Sequence, residues 1–437
     1  MFQPPRLSTA IRPFISCIIK GVHSQEKPLV ERDHRLCAER RIALLLVLLC
    51  FIEGAVFAAV TPLWRAPDEP KYFQEIQLLA GKHHFQSITG HPPLYAVIQA
   101  VPYLLGRSVP EQVFLIRLAG AAMNAATVWL VYKITLLLFR KHRLAVFMPA
   151  ALVALNPQFN FIGASINSDP LLTLISTAFF YVALRIMRSQ LYLGNGMALL
   201  VVAALGMLAK QRFFVLLPIL IPVIALGLYR RFRPMEPGAK GKRGLIGLAT
   251  WAVALLALGV TPLIMKAVAP ALGSGAFPSM SQVWSVIKLP TFLPTIFYEF
   301  WGYFDWLLLP MRRWAYFYFA ALGGVGLAGL IIATWTRVVR LGLRKALLEW
   351  RLITWLVFGI ALFFAVYAVA QYSVQMGGGA QGRYLFIIIA PMAILLGRGL
   401  AELVPARKAS PVFAVVLITL LAVNYLEIVY QIMPYYY

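Results

Sequence analysis

The feature that most limits what this chain can fold into is a series of apolar runs, each about 18 to 25 residues long, recurring along nearly its whole length. A helix rises about 1.5 Å per residue, so each run can cross a hydrocarbon layer about 30 Å thick. Inside lipid every backbone amide must be satisfied within a helix or a closed barrel. The runs lack barrel alternation, so the pattern predicts an all-α polytopic membrane protein. A mean hydropathy of +0.77 over 437 residues agrees with this reading.

About eleven crossings are expected, at residues 42–62, 113–139, 144–163, 169–188, 194–210, 213–229, 244–264, 314–336, 352–370, 384–402 and 411–430. The formal charge of +24 would suit nucleic acid, but most of the basic residues sit in short linkers between the apolar runs. That placement marks cytoplasmic loops facing anionic lipid, so the bilayer is the expected partner and nucleic acid is not. The same bias sets the N-terminus inside and the C-terminus outside. Residues 1–41 read as a basic cytoplasmic tail, 42–430 as one transmembrane domain with outer loops 63–112 and 265–313, and 431–437 as a short outer tail. The segment 91–106 is apolar but short and interrupted by Pro102. If it crossed, Arg140-Lys141-His142-Arg143 would fall outside, so it is read as re-entrant or lying on the surface. Cys17, Cys37 and Cys50 lie in the tail and first span, and no disulfide framework is expected.

A polar island, Thr61 to Tyr95, follows the first run. Asp68 and Glu69 stand there between Pro67 and Pro70, which predicts a helix start and a short surface helix over about 70–80, with Tyr72, Ile76 and Leu79 on one face and Gly81 at its end. Acids are scarce on the expected outer side: Asp68, Glu69, Glu75, Glu111, Asp169, Glu299 and Asp305. Asp169 heads a span after NPQFNFIGASINSDP, where it would either cap the helix or serve as a second site carboxylate. A divalent metal at Asp68 and Asp169 is conceivable, although two carboxylates are too few ligands to argue for one. Lys210 and Arg212, and Arg383 beside Tyr384 in the glycine-rich GGGAQGRYLF, are the candidate phosphate ligands. His91, Trp301, Tyr303, Asp305 and Tyr384 are candidate substrate contacts, the aromatics doubling as an interfacial belt. Glu53 lies mid-span and should face protein.

APDEP, HPPLY, NPQFNFIGASINSDPLL, LAKQR, FWGYFDW and QGRYLF together resemble an uncharacterised bacterial membrane-protein family, domain of unknown function 2142, over about residues 40–430. More distantly, the acidic first loop, the Pro-Pro-Leu segment and the second-loop Asp are similar to GT-C glycosyltransferases, among them the protein O-mannosyltransferases and the aminoarabinose transferase of lipid A. The resemblance implies a GT-C-like fold, a bacterial plasma membrane and transfer of a sugar from a polyprenyl-phosphate donor on the outer face. It matches Asp68 to the first-loop catalytic aspartate and Asp169 to the second-loop acid, and Glu69 keeps the Asp-Glu pairing of the mannosyltransferases. In that chemistry Asp68 is the general base for an acceptor hydroxyl on a glycan, lipid or protein, and the basic residues steady the leaving phosphate. One displacement inverts the anomeric carbon. The competing reading is a transporter or flippase for lipid-linked envelope glycans, or a non-catalytic factor in their assembly.

Overall fold

The computed structural model describes residues 27–82, 86–139, 142–189, 191–231, 278–346, 349–375, 379 and 381–437. Two compact units divide the chain, Met1–Leu45 and Leu46–Tyr437. The first contributes the opening half of helix α1 (Lys27–Val60), and the second contains all else described below. The expected span at 244–264 lies outside the described residues, as do His83, His84, Gly377 and Gly378.

The chain is an all-α membrane protein. Among the described residues eight helices are long and apolar enough to cross a bilayer, or nine if one bent pair forms a single span. After α1 come two short helices, α2 (Glu69–Lys82) and α3 (Leu94–Leu105). In α2 the buried face carries Tyr72 and Ile76, and the helix runs one residue past Gly81. At 12 residues α3 is about 18 Å long, short of the hydrocarbon thickness. Its exposed Val101, Leu104 and Leu105 suit contact with lipid.

Helix α4 (Val109–Phe139) is followed by a span broken in two, α5 (Arg143–Ala154) and α6 (Pro157–Gly163), bent by 54°. The break is written in Asn156-Pro157: a residue before proline avoids the helical region, and Asn156 is extended at φ −83, ψ 115. Carbonyls freed there need partners at membrane depth. Asn160 Nδ2 donates to Ala154 O at 2.7 Å, and Asn424 Nδ2 to Leu155 O at 2.9 Å.

Helix α7 (Asp169–Arg188) leads to α8 (Leu193–Ala209), a shorter apolar helix of 17 residues. Lys210 is extended, and the chain turns back through a 3-10 stretch (Gln211–Ile219) into α9 (Leu220–Arg231). That return is fixed at its far end, where Leu191 N donates to Gly227 O at 3.1 Å. The hairpin expected at Lys210–Arg212 is therefore a real reversal rather than one kinked helix.

From residue 278 onward come α10 (Met280–Ile287), α11 (Phe292–Trp301) and a two-stranded ribbon of β1 (Tyr303–Phe304) and β2 (Leu309–Pro310). Three membrane-length segments follow, α12 (Arg313–Leu341), α13 (Trp350–Gln375) and α14 (Ile389–Leu403), the last reaching that length with the 3-10 stretch Gly382–Ile388 that leads into it. Helices α12 and α14 cross at glycine: a Cβ on Gly399 would stand 1.7 Å from Gly326 O. Close backbone approach through small residues replaces the hydrophobic effect that lipid does not supply. Helix α15 (Ala409–Glu427) ends the bundle in a π turn, Ile428–Ile432.

Candidate functional site

The end of the bundle formed by residues 61–69, 164–169, 210–212 and 381–384 gathers the polar side chains. Past Val60 the chain turns tightly, and Trp64 and Asp68 both take φ +66. Lys71 N and Tyr72 N donate to Asp68 O at 3.2 Å each, so its main chain starts α2 while its side chain stays uncommitted to the cap. That side chain reaches across the bundle, where Arg383 Nη2 donates to Asp68 Oδ2 at 3.0 Å. Asp68 is half-buried, its side chain 36% exposed.

Glu69 has a different fate from its neighbour. It is fully buried, with Arg117 Nε donating to Oε1 at 2.8 Å and Nη2 to Oε2 at 2.7 Å. Ile166 N also donates to Oε1, and Arg117 caps the carbonyls of Ala58, Thr61 and Pro62. This forked pair ties the end of α1, the start of α2, α4 and the 164–169 turn together. Glu69, expected beside Asp68 in the catalytic Asp-Glu pair, acts in this structure as a clamp, both of its oxygens being occupied and closed off.

Asp169 opens α7 with its own N–H donating to Asn167 Oδ1 at 2.9 Å. Lys210 Nζ donates to its Oδ1 at 2.6 Å, while the buried Oδ2 has no hydrogen-bond partner. Lys210, Arg383 and Arg212 all lie close enough to act on its charge. Lys210 occupies the extended residue between α8 and the 3-10 stretch, a position that turns its side chain out of helical register and into the cluster. Burial, then Arg212, draws its pKa below the usual lysine value against the pull of Asp169.

Arg212 differs from the other two cations. Asp68 and Asp169 pair with Arg383 and Lys210, and Arg212 stacks instead on Tyr384, its Cζ 3.4 Å from the ring centroid and 5.4 Å from that of Tyr372. Its buried Nη1 has no hydrogen-bond partner, nor has Nη1 of Arg383. Arg383 is oriented by Gln381, whose Oε1 accepts from Nε at 2.7 Å. The backbone beneath is seated directly on α11: a Cβ on Gly382 would lie 2.2 Å from Ile296 O, and Gly382 N donates to Glu299 Oε2 at 2.9 Å. Burial lifts Glu299 to about 7 against the opposing Gly382 N–H and Arg383.

His91 sits at the margin, its ring stacked on Tyr72 with centroids 6.1 Å apart. Tyr72 and Ser168 share a hydroxyl hydrogen bond of 2.8 Å. The loop leading to His91 is strapped to α2 by Glu75, whose Oε1 accepts from Ile88 N and Thr89 N at 2.5 and 2.6 Å. Burial first, then Lys210 and Arg212, lowers the imidazole to about 3, so it is neutral at physiological pH. The cluster then sets two carboxylates, Asp68 and Asp169, against three basic side chains, Lys210, Arg212 and Arg383, two of which have a buried Nη1 with no hydrogen-bond partner.

Asp68, Asp169, Lys210, Arg212, Arg383 and Tyr384 thus come together, with His91 beside them. The remaining candidates sit elsewhere. Trp301, a candidate substrate contact, is buried and stacked on Phe319 with centroids 4.1 Å apart, which is a packing contact. Tyr303 is tied by its N–H to Gln158 Oε1 at 2.7 Å in the ribbon, and Asp305 pairs with Arg65 and Tyr435. The sequence reading missed Arg117, Gln381, Tyr72 and Tyr372. No three His, Cys, Asp or Glu side chains among the described residues are grouped to hold a metal ion. The Asp68 and Asp169 oxygens that a metal would need are partly taken by Arg383 and Lys210.

A family model described as "Predicted membrane protein (DUF2142)" matches residues 80–393, well over half of the chain. This chain belongs to DUF2142. The match includes Asp169, Lys210, Arg212 and Arg383, whereas Asp68 precedes it. None of the curated proteins matches the sequence.

Proposed function

We propose that this DUF2142 member is a GT-C-like membrane glycosyltransferase that moves a sugar from a polyprenyl-phosphate donor to an acceptor hydroxyl, with inversion. The observation that carries the reading is Arg212, a partly buried cation that pairs with no carboxylate and whose buried Nη1 has no hydrogen-bond partner, next to a second cation whose partner is the half-exposed Asp68. A single phosphate diester carries the charge this cluster lacks. Oriented guanidinium groups in a partly dry site stabilise a leaving phosphate far better than water does.

In this mechanism the donor phosphate rests on Arg212 and Nη1 of Arg383. With Oδ2 of Asp68 held by Arg383, the other oxygen of that carboxylate accepts the proton of the acceptor hydroxyl. The acceptor oxygen bonds to the anomeric carbon as its bond to phosphate oxygen breaks. The electron pair leaves with the polyprenyl phosphate, and the proton ends on Asp68. Lys210 keeps Asp169 charged and fixed behind the two arginines.

The opposite ends of these helices carry Arg185, Arg188, Arg230, Arg231, Arg337, Arg340 and Arg398. By the positive-inside rule that end is cytoplasmic, which supports a site on the outer face of a bacterial plasma membrane. The rival reading, a transporter, draws on Glu53, buried mid-span with an unpartnered Oε1. Transport sites gather at the midplane, whereas the paired acids and cations here gather at helix ends, which favours an enzyme. Purified protein in detergent, where no gradient exists, should consume a polyprenyl-phosphate sugar. Failure with a panel of such donors, alongside transbilayer movement of one in vesicles, would favour the transporter.

A further inference from the structure

A second polar cluster lies three residues upstream of Asp68. Asp305, in the turn between β1 and β2, is fully buried, and Tyr435 OH donates to its Oδ2 at 2.9 Å. Arg65 approaches the same oxygen at 3.6 Å and lies 5.9 Å from the ring centroids of both Tyr435 and Tyr436. Asp305 Oδ1 is buried without a partner. Trp306 Nε1 donates to Trp64 O at 3.2 Å, which joins this turn to the loop that carries Asp68. The faces turned outward are aromatic and basic: Trp306 is 44% exposed, Tyr435 38%, and the Arg65 side chain 47%.

An interfacial aromatic belt accounts for exposed Trp and Tyr, but it calls for neither a buried carboxylate nor a constrained backbone. Here both are present. Among the described residues the non-glycine positions with positive φ are Trp64, Asp68, Asp305 and Leu307, and all four fall in these two joined loops. Such conformations persist where the surroundings over-determine them, and they concentrate at ligand sites. Flat amphipathic rings beside a fixed guanidinium suit a ligand with apolar C–H faces and many hydroxyls.

We propose that Trp306, Tyr435 and Arg65 form a carbohydrate subsite, and hence that the acceptor in the transfer proposed above is a glycan rather than a protein or a simple lipid. The inference rests on that transferase reading for its role, though not for its binding chemistry. Trp306 and Tyr435 stack on sugar rings, and Arg65 donates to hydroxyls. Asp305 is a positioning residue that holds Arg65 and Tyr435 in place. Three residues of chain reach at most about 11 Å, so Arg65 and Asp68 leave the same tight loop within that distance of each other.

The test is binding of purified full-length protein in detergent, without donor, to an array of oligosaccharides from bacterial surface polysaccharides. Wild type is expected to retain one or more related glycans. Trp306→Leu and Arg65→Ala should weaken that binding at least tenfold, and Trp306→Phe, which restores a ring, should recover most of it. Thermal midpoints measured alongside separate lost binding from lost folding. No glycan held above an empty-micelle control, or equal binding by wild type and Trp306→Leu, overturns the subsite. Because no donor is present, the two readings fail separately: donor consumption without glycan binding removes only the subsite, and binding without donor consumption removes only the transferase.

Discussion

Asp68 and Arg383 lie 315 residues apart in the chain and meet at 3.0 Å. One comes from a loop ahead of the family match, the other from a 3-10 turn near its end, so the pair closes the site across the bundle. Arg383 makes that contact through Nη2 while Nε is held by Gln381. A lysine offers one compact charge and cannot keep both directions. Arg383→Lys should therefore lower kcat for donor consumption by about tenfold or more with little change in thermal midpoint, because each lost charge-assisted hydrogen bond is worth roughly 1.5–3 kcal/mol. Steady-state kinetics beside a melting curve would check it.

Arg212 gives a cleaner separation of binding from folding. It holds no carboxylate and rests on the Tyr384 ring. Arg212→Gln should raise KM for the donor by roughly 10- to 100-fold, the worth of one charge-assisted contact to phosphate. Direct donor titration is the measurement, and an unchanged KM would remove Arg212 from the phosphate site.

Glu69 and Arg117 should behave as a structural pair. Removing one partner strands a buried charge, which costs about 3–5 kcal/mol, whereas replacing both with apolar residues of similar size often costs far less. Glu69→Gln or Arg117→Met alone should sharply lower the thermal midpoint, and Glu69→Leu with Arg117→Met should recover much of the loss. A double-mutant cycle by thermal melting in detergent reads the coupling.

Glu299 should make stability depend on pH. Its carboxyl titrates at about 7 in the folded chain against an ordinary 4.5, chiefly because it is buried. Between those values the folded chain holds a proton that the unfolded chain has released. The contribution is therefore full below about pH 4.5 and declines as pH rises through about 7, by up to about 3 kcal/mol. Glu299→Gln is neutral throughout and keeps an oxygen for Gly382 N–H, so its midpoint should lose this slope between about pH 4.5 and 7.

Much of this was legible in the sequence. Membrane-length apolar runs fixed the fold class, and the scarcity of acids between them pointed to Asp68 and Asp169. Asn156-Pro157 announces a break, yet 144–163 reads as one span, because the side chains that heal the break come from Asn160 and Asn424, the latter distant in sequence. Glu69 looked equivalent to Asp68 because adjacent residues share a motif. Their side chains diverge at a helix start, and Arg117, the partner that claims Glu69, is hidden within an apolar stretch. Trp301 and Trp306 look alike in the sequence, because the run FWGYFDW has no period to tell inward rings from outward ones. The turn between β1 and β2 decides that, leaving Trp301 buried and Trp306 exposed.

The central claim is that the Asp68 carboxylate takes a proton during sugar transfer. Asp68→Asn preserves shape and removes that capacity, and its amide oxygen can still accept from Arg383 Nη2, so the buried guanidinium keeps a partner. Purified Asp68→Asn protein, supplied with the polyprenyl-phosphate sugar that wild type consumes, should melt within about 2 °C of wild type while turning over about 10²- to 10⁴-fold more slowly. Turnover within a few fold of wild type by a well-folded Asp68→Asn protein would contradict the account.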